Sequence, residues 1–139
     1  MATQELFFPD TKTYTSMIHT QGVEVCRKKI WIDETISKLS FGIANYINKA
    51  LKGFVVCRGD INSPKIMWID LICARESGSQ LLQQAEEHAR TINDVRMLML
   101  YSLPDEELKQ WYMRRGYDVS IVKIWDGNPK AFLMVKLLY

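Results

Sequence analysis

Residues 65–100 read KIMWIDLICARESGSQLLQQAEEHARTINDVRMLML, and three kinds of signal follow one another along them. Lys65 to Ala74 is apolar on both sides instead of alternating, which marks a central strand covered on both faces. Arg75 to Gln80 is polar and small. Leu81, Leu82, Ala85, Ala89 and Ile92 then recur at helical spacing, an amphipathic helix of about three turns. Its start carries a capping-box pattern, Ser77-x-x-Gln80. Val95 to Leu100 is a second buried strand. Strand, helix and strand with short joints make a βαβ unit, which predicts a parallel pair.

The flanking sequence extends this unit in both directions. Phe54-Val55-Val56-Cys57 is a β-branched run ended by Gly59-Asp60, a strand and a turn. Asn62-Ser63-Pro64 is loop. On the far side, Ser102-Leu103-Pro104-Asp105-Glu106-Glu107 opens a helix with Pro and acids in its first turn, and Gly116 marks its exit. Val119 to Trp125, a turn at Asp126-Gly127-Asn128-Pro129, and Ala131 to Leu138 predict a closing hairpin. The first third gives mixed signals. Ile36, Leu39, Ile43, Tyr46, Ile47 and Ala50 recur at helical spacing. Ile43 to Ile47 equally fits a strand that turns back at Ala50-Leu51-Lys52-Gly53. The order after that start is β, β, α, β, α, β, β, an α/β or α+β domain around a mixed sheet.

The chain has 139 residues, enough for one compact domain over residues 1–139 with one proper core. Hydrophobic residues are 47% and charged residues 24%, ordinary globular usage. A net charge of +2 gives no ground for a nucleic-acid or anionic-membrane partner. Arg27-Lys28-Lys29 and Arg114-Arg115 are short enough to be solvated faces. No apolar stretch approaches the ~20 residues of a bilayer span, and MATQELFFPDTK lacks the pattern of a signal peptide. Cys26, Cys57 and Cys73 cannot all pair within one chain, and none has the spacing of a zinc site. All three are expected as reduced thiols in a cytoplasmic compartment, and no metal is expected. His19 and His88 are isolated, with His88 expected at a surface or edge position of its helix.

Two pieces could carry chemistry. The joint Arg75-Glu76-Ser77-Gly78-Ser79-Gln80 precedes a helix, whose first N–H groups and partial positive charge suit a phosphate. Small residues let a ligand approach the backbone, and Arg75 could add a charge-assisted contact. A capped helix after a tight turn, with Arg75 in solvent, is the plainer alternative. In Trp111-Tyr112-Met113-Arg114-Arg115-Gly116-Tyr117, Leu108, Trp111, Tyr112 and Arg115 share a helical face, so Tyr112 also fits a core aromatic.

Taken together, Gly53 to Tyr117 resembles the GNAT acetyltransferase family over a little under half of the chain. The most specific part is LKQWYMRRGY, Leu108 to Tyr117, which looks like that family's aromatic-Tyr-x-x-x-Gly-aromatic segment. GSQLLQQAEEHAR, Gly78 to Arg90, is similar to its cofactor-binding helix. The family loop Q/R-x-x-G-x-G/A is matched imperfectly by R-E-S-G-S-Q, where Gln80 replaces a small residue. Aligning Gly78 with the final glycine instead puts Glu76 in place of a glycine and shortens the loop.

The resemblance implies a mixed, mostly antiparallel sheet with one splayed parallel strand pair, flanked by helices. It implies acetyl-coenzyme A as acyl donor and an amine, small molecule or protein, as acceptor. The pantetheine arm would pair with backbone at Ile72, Cys73 and Ala74. The pyrophosphate would rest on Ser77, Gly78, Ser79 and Gln80, with Arg75 nearby. The amine attacks the thioester directly. Tyr112 would protonate the leaving thiolate, and Asp70 is the candidate to take the amine's proton, with a structural ion pair as its alternative role. Cys73 as an acyl carrier is a lesser alternative to packing. A GNAT-shaped module that binds acetyl-coenzyme A or a partner protein without turnover is the rival reading, and an unrelated α/β interaction domain the third. The apolar strand Ala131 to Leu138 is a candidate edge for a homodimer.

Overall fold

The structure is a computed structural model and describes residues 4–9, 11–26, 41–75, 78–125 and 128–139. The described strands form one seven-stranded sheet in the order β1-β2-β3-β4-β5-β7-β6. They are β1 Gln4–Phe8, β2 Phe41–Ile47, β3 Ala50–Gly59, β4 Ile66–Ala74, β5 Met97–Ser102, β6 Asp118–Trp125 and β7 Asn128–Leu137. Every pairing is antiparallel except β4 with β5, so the expected mixed sheet with one parallel pair is what the chain forms.

One face is covered by α3 (Gly78–Thr91) and α4 (Glu106–Met113). Leu81, Leu82, Ala85 and Ala89 of α3 pack there against Val55, Met67, Ile69, Leu98 and Leu100. This is the helical stripe expected from the sequence, laid on the continuously apolar strands. The other face carries α1 (Thr11–Met17), a π-helical turn (Ile18–Gly22) and the four-residue α2 (Val23–Cys26). Tyr14, Met17, Ile18 and Val25 pack there against Ala44, Phe54 and Val56. The Tyr14 hydroxyl donates to the Val55 carbonyl at 2.6 Å. Gly42 lies under its ring, where any Cβ would collide with it.

Several expectations are corrected here. The ambiguous stretch is a strand over its described part, and the helical alternative fails there. β2 turns back at Asn48-Lys49, two residues earlier than expected. Both have positive φ, 52° and 65°, the conformation a two-residue type I′ hairpin turn demands. Leu39 and Ile36 lie outside the described residues, as do Arg27-Lys28-Lys29, Glu76 and Ser77 with its capping box. Strand β1, which the sequence did not signal, is an edge strand with mostly exposed side chains and so lacks a strong apolar pattern.

The cysteines are not all reduced. Cys26 and Cys73 form a disulfide across 47 residues, joining α2 to the end of β4. Cys57 is the free thiol, fully buried. The disulfide overturns the thiol argument for a reducing compartment, and a thiol as buried as Cys57 does not restore it. The proposed dimer edge is also corrected: β7 is paired with β5 on one side and β6 on the other, leaving neither edge for a second copy. No helix among the described residues is long and apolar enough to cross a membrane. Among those residues no group of three or more His, Cys, Asp or Glu could hold a metal ion.

Candidate active site

The parallel pair is short. Ile66, Met67 and Trp68 of β4 pair with Met97, Leu98 and Met99 of β5, and the ladder stops at the Trp68–Met99 rung. β4 continues to Ala74 on β3 while β5 continues to Ser102 on β7, so the two strands splay. A bulge on β4 sharpens the divergence: Ile69 pairs with Cys57 and Leu71 with Val56, leaving Asp70 as the extra residue. A cleft opens between the two strands beyond that last rung.

The cleft is a cavity of about 1080 Å³, at the upper end of the usual ligand-pocket range. It runs from Ile72 and Ala74 of β4 and Leu103 just after β5 to Arg75 and, at the start of α3, Gly78 and Ser79; Trp111 and Tyr112 of α4 and Arg115, just beyond that helix, also line it. Gly78 opens a helix of fourteen residues, so the helix's first N–H groups and positive dipole end lie at the cavity mouth. Gly78 is packed loosely enough that a Cβ would make only ordinary contact, 3.6 Å from Trp111 and 3.7 Å from Ala74. Helix start, glycine and exposed Arg75 together fit a phosphate-bearing ligand. Arg75 is anchored through its guanidinium to the Glu24 carbonyl at 2.9 Å and through its backbone N–H to the Lys52 carbonyl at 2.9 Å.

α4 places Tyr112. Asp105 caps the helix, accepting from the Leu108 N–H at 3.1 Å, and Gly116 closes it at φ +95°, as its position predicted. Tyr112 is 5% exposed and stands edge-on to Trp111 and Tyr117, with ring centres 5.0 and 5.7 Å away. Burial pushes its hydroxyl up to about 12. A phenol is already protonated at neutral pH at its ordinary value, the form a proton donor needs, and the shift makes it a weaker acid.

Of the residues expected at the site, the structure brings Ile72, Ala74, Arg75, Gly78, Ser79 and Tyr112 to one cavity. Gln80 is exposed and absent from the cavity lining. Ser77 lies outside the described residues. Cys73 has its sulfur in the disulfide on the opposite face of β4, which removes the acyl-carrier alternative in this form. Asp70 faces the same side as Trp68, and its carboxylate pairs with the Arg58 Nε at 2.6 Å. The structural ion pair considered for it is present. Trp111 and Arg115 went unrecognised as site residues. Their i, i+4 spacing was the available signal: the Arg115 guanidinium stacks 3.8 Å from the Trp111 ring centre and donates to the Trp111 carbonyl at 2.9 Å. Arg115 is thus not part of a merely solvated pair.

No family model matches the sequence, and no curated protein matches it either. Solved structures do. A GNAT family acetyltransferase from Elizabethkingia anophelis with acetyl-CoA bound is similar at a TM-score of 0.72 and 16% identity, covering 96% of this chain and 97% of that one. The PaiA N-acetyltransferase from Thermoplasma acidophilum in complex with coenzyme A is similar at 0.64 and 15%, covering 99% of each chain. An acetyltransferase of the GNAT family from Streptococcus pneumoniae is similar at 0.69 and 16%, covering 96% of this chain and 99% of that one. The fold of this chain is the GNAT N-acetyltransferase fold.

Proposed function

We propose that the chain is an N-acetyltransferase, moving an acetyl group from acetyl-coenzyme A to a primary amine by direct attack. The observation that carries this reading is the splayed β4–β5 cleft with protonated Tyr112 on its wall. Similar structures that hold acetyl-CoA or coenzyme A support the choice of donor. The backbone of Ile72 to Ala74, unpaired with β5, suits the amides of a pantetheine arm. The N–H groups at Gly78 to Gln80 and the Arg75 guanidinium suit the pyrophosphate.

Acetyl-coenzyme A supplies an activated thioester, so no protein nucleophile is required. The amine lone pair attacks the carbonyl carbon and the C–S bond breaks. The departing thiolate takes the Tyr112 proton, and the phenolate is reprotonated from the proton the nitrogen releases. Asp70, the bulge residue just past the last parallel rung, accepts the ammonium proton directly or through water. Its ion pair with Arg58 competes for the same carboxylate.

Tyr112→Phe keeps the ring and its packing and removes the hydroxyl. Turnover, read as thiol release with an amine panel, is expected to fall roughly a hundredfold. Acetyl-coenzyme A affinity should hardly change, because the group acts as charge develops on sulfur. Equal turnover in the variant would reduce Tyr112 to a core aromatic. The Arg58–Asp70 pair favours a second reading, an acetyl-coenzyme A-binding module without turnover. Tight cofactor binding with no thiol release for any amine would select it.

A further inference from the structure

The face of the sheet opposite Tyr112 carries a second constellation at the same point of divergence. Trp68 and Met99 form the last parallel rung. Alternation along β5 puts Tyr101 beside Met99 on that face, and the contact with Arg58, the register partner of Trp68, puts Asp70 there too, while Ile69 and Leu100 point into the α3–α4 core. Trp68 and Tyr101 stack across the fork, ring centres 5.5 Å apart and 18° from parallel. Arg58 of β3, directly opposite Trp68 in register, places its guanidinium 5.7 Å from the indole centre. The indole N–H donates to an Asp60 carboxylate oxygen at 2.8 Å. Tyr101 is 47% exposed, and Leu103, two residues on, is 53% exposed and lines the cofactor cavity. The aromatic wall and the cavity therefore meet at the fork.

Charge decides what such a wall accepts. Arg58 and Asp70 neutralise one another at 2.6 Å. Among the described residues of this constellation, Asp60 adds one net negative charge. Its hydrogen bonds from Trp68 and Asn62 hold its carboxyl below the usual range, so it is ionised at neutral pH. A polyamine would meet one carboxylate for several ammonium groups. A single ammonium on a flat apolar body meets an aromatic surface and one carboxylate, the combination that cation–π and stacking contacts reward.

Resting on the acetyl-transfer reading, we infer that the acceptor is a monocationic arylalkyl amine, stacked on the outward face of Tyr101 with its nitrogen at the fork between β4 and β5. Trp68, held between Arg58 and Tyr101, backs that ring, and Tyr101 is then the specificity-determining residue.

The test is steady-state acetyl transfer to phenethylamine and tryptamine, set against spermidine and a short peptide with a free N-terminus. The parent enzyme is expected to favour the aryl amines at least tenfold in kcat/KM. Tyr101→Ala should raise KM for aryl amines roughly tenfold, with kcat changed less, and Tyr101→Phe should restore it, because the ring and not the hydroxyl binds. The acetyl-coenzyme A melting shift should be the same in parent and variants, which also checks folding. Should Tyr101→Ala not fold, the parent's preference alone decides. Equal or better transfer to spermidine or peptide, or an aryl-amine KM indifferent to Tyr101→Ala, overturns the inference and leaves the acetyltransferase reading intact. Absence of thiol release with every amine overturns both.

Discussion

His88 packs against two phenylalanine rings, its imidazole centre 4.5 Å from Phe7 and 4.4 Å from Phe41, which are themselves 5.9 Å apart. Partial burial lowers its pKa, and Glu5 opposes that shift only in part. The unfolded chain therefore binds the proton more readily than the folded one, and protonation favours unfolding. The contribution is fully present above the unfolded histidine value of about 6.5 and is lost as pH falls through the lowered folded value. Melting temperature is expected to drop as pH falls below about 6.5. His88→Phe should flatten the profile there; an unchanged slope would assign it to other groups. Sequence gave His88 an edge position on its helix, which it has. Its two aromatic neighbours come from β1 and β2, in the least legible third, so the three-ring cluster could not be foreseen.

At the level of elements, α3 is bolted to β7 by a buried charge cluster. Glu86, 5% exposed, accepts from the Tyr117 hydroxyl at 2.8 Å and from the Lys136 Nζ at 2.9 Å. Lys136 also donates to the Arg115 carbonyl at 2.9 Å, so the bolt reaches the end of α4. Deleting one partner of a buried pair leaves the other charge desolvated and unpaired. Lys136→Met is expected to destabilise by about 3 kcal/mol in denaturant titration, and Glu86→Gln in that background should recover part of the loss. An additive double variant would mean that the two do not interact. The elements themselves were legible from Gly53 on, because buried strands and an amphipathic helix leave long, regular apolar patterns. The cleft was legible through its neighbours in sequence: strand, small-residue turn, and the Tyr112 helix. Asp70 shows the limit. Nothing in KIMWIDLICA announces the bulge that displaces it, or the Arg58 that meets it from another strand.

Over the whole molecule, the Cys26–Cys73 bridge is the longest covalent constraint, and it ties the small helical face to the large sheet. Closing a loop of this length removes unfolded-state entropy worth about 4 kcal/mol. Cys26→Ser, or reduction with a dithiol, should lower the melting temperature accordingly. A melting curve indifferent to reductant would mean that the bridge adds nothing to the native state. No spacing rule links two cysteines 47 residues apart in apolar surroundings, so the pairing was not legible. The sheet order has a separate consequence, for synthesis. Strands β1 to β5 can each add to a neighbour already made, since they stand side by side in chain order. β6 cannot, because its partner is β7, which is made after it and inserts between it and β5. Until residues 128–137 have left the ribosome, the apolar edge of β5 stays open and β6 has no place in the sheet. The nascent chain is then a client for any holding chaperone that binds unpaired strands, and β7 ends that state in one step by filling the gap from both sides.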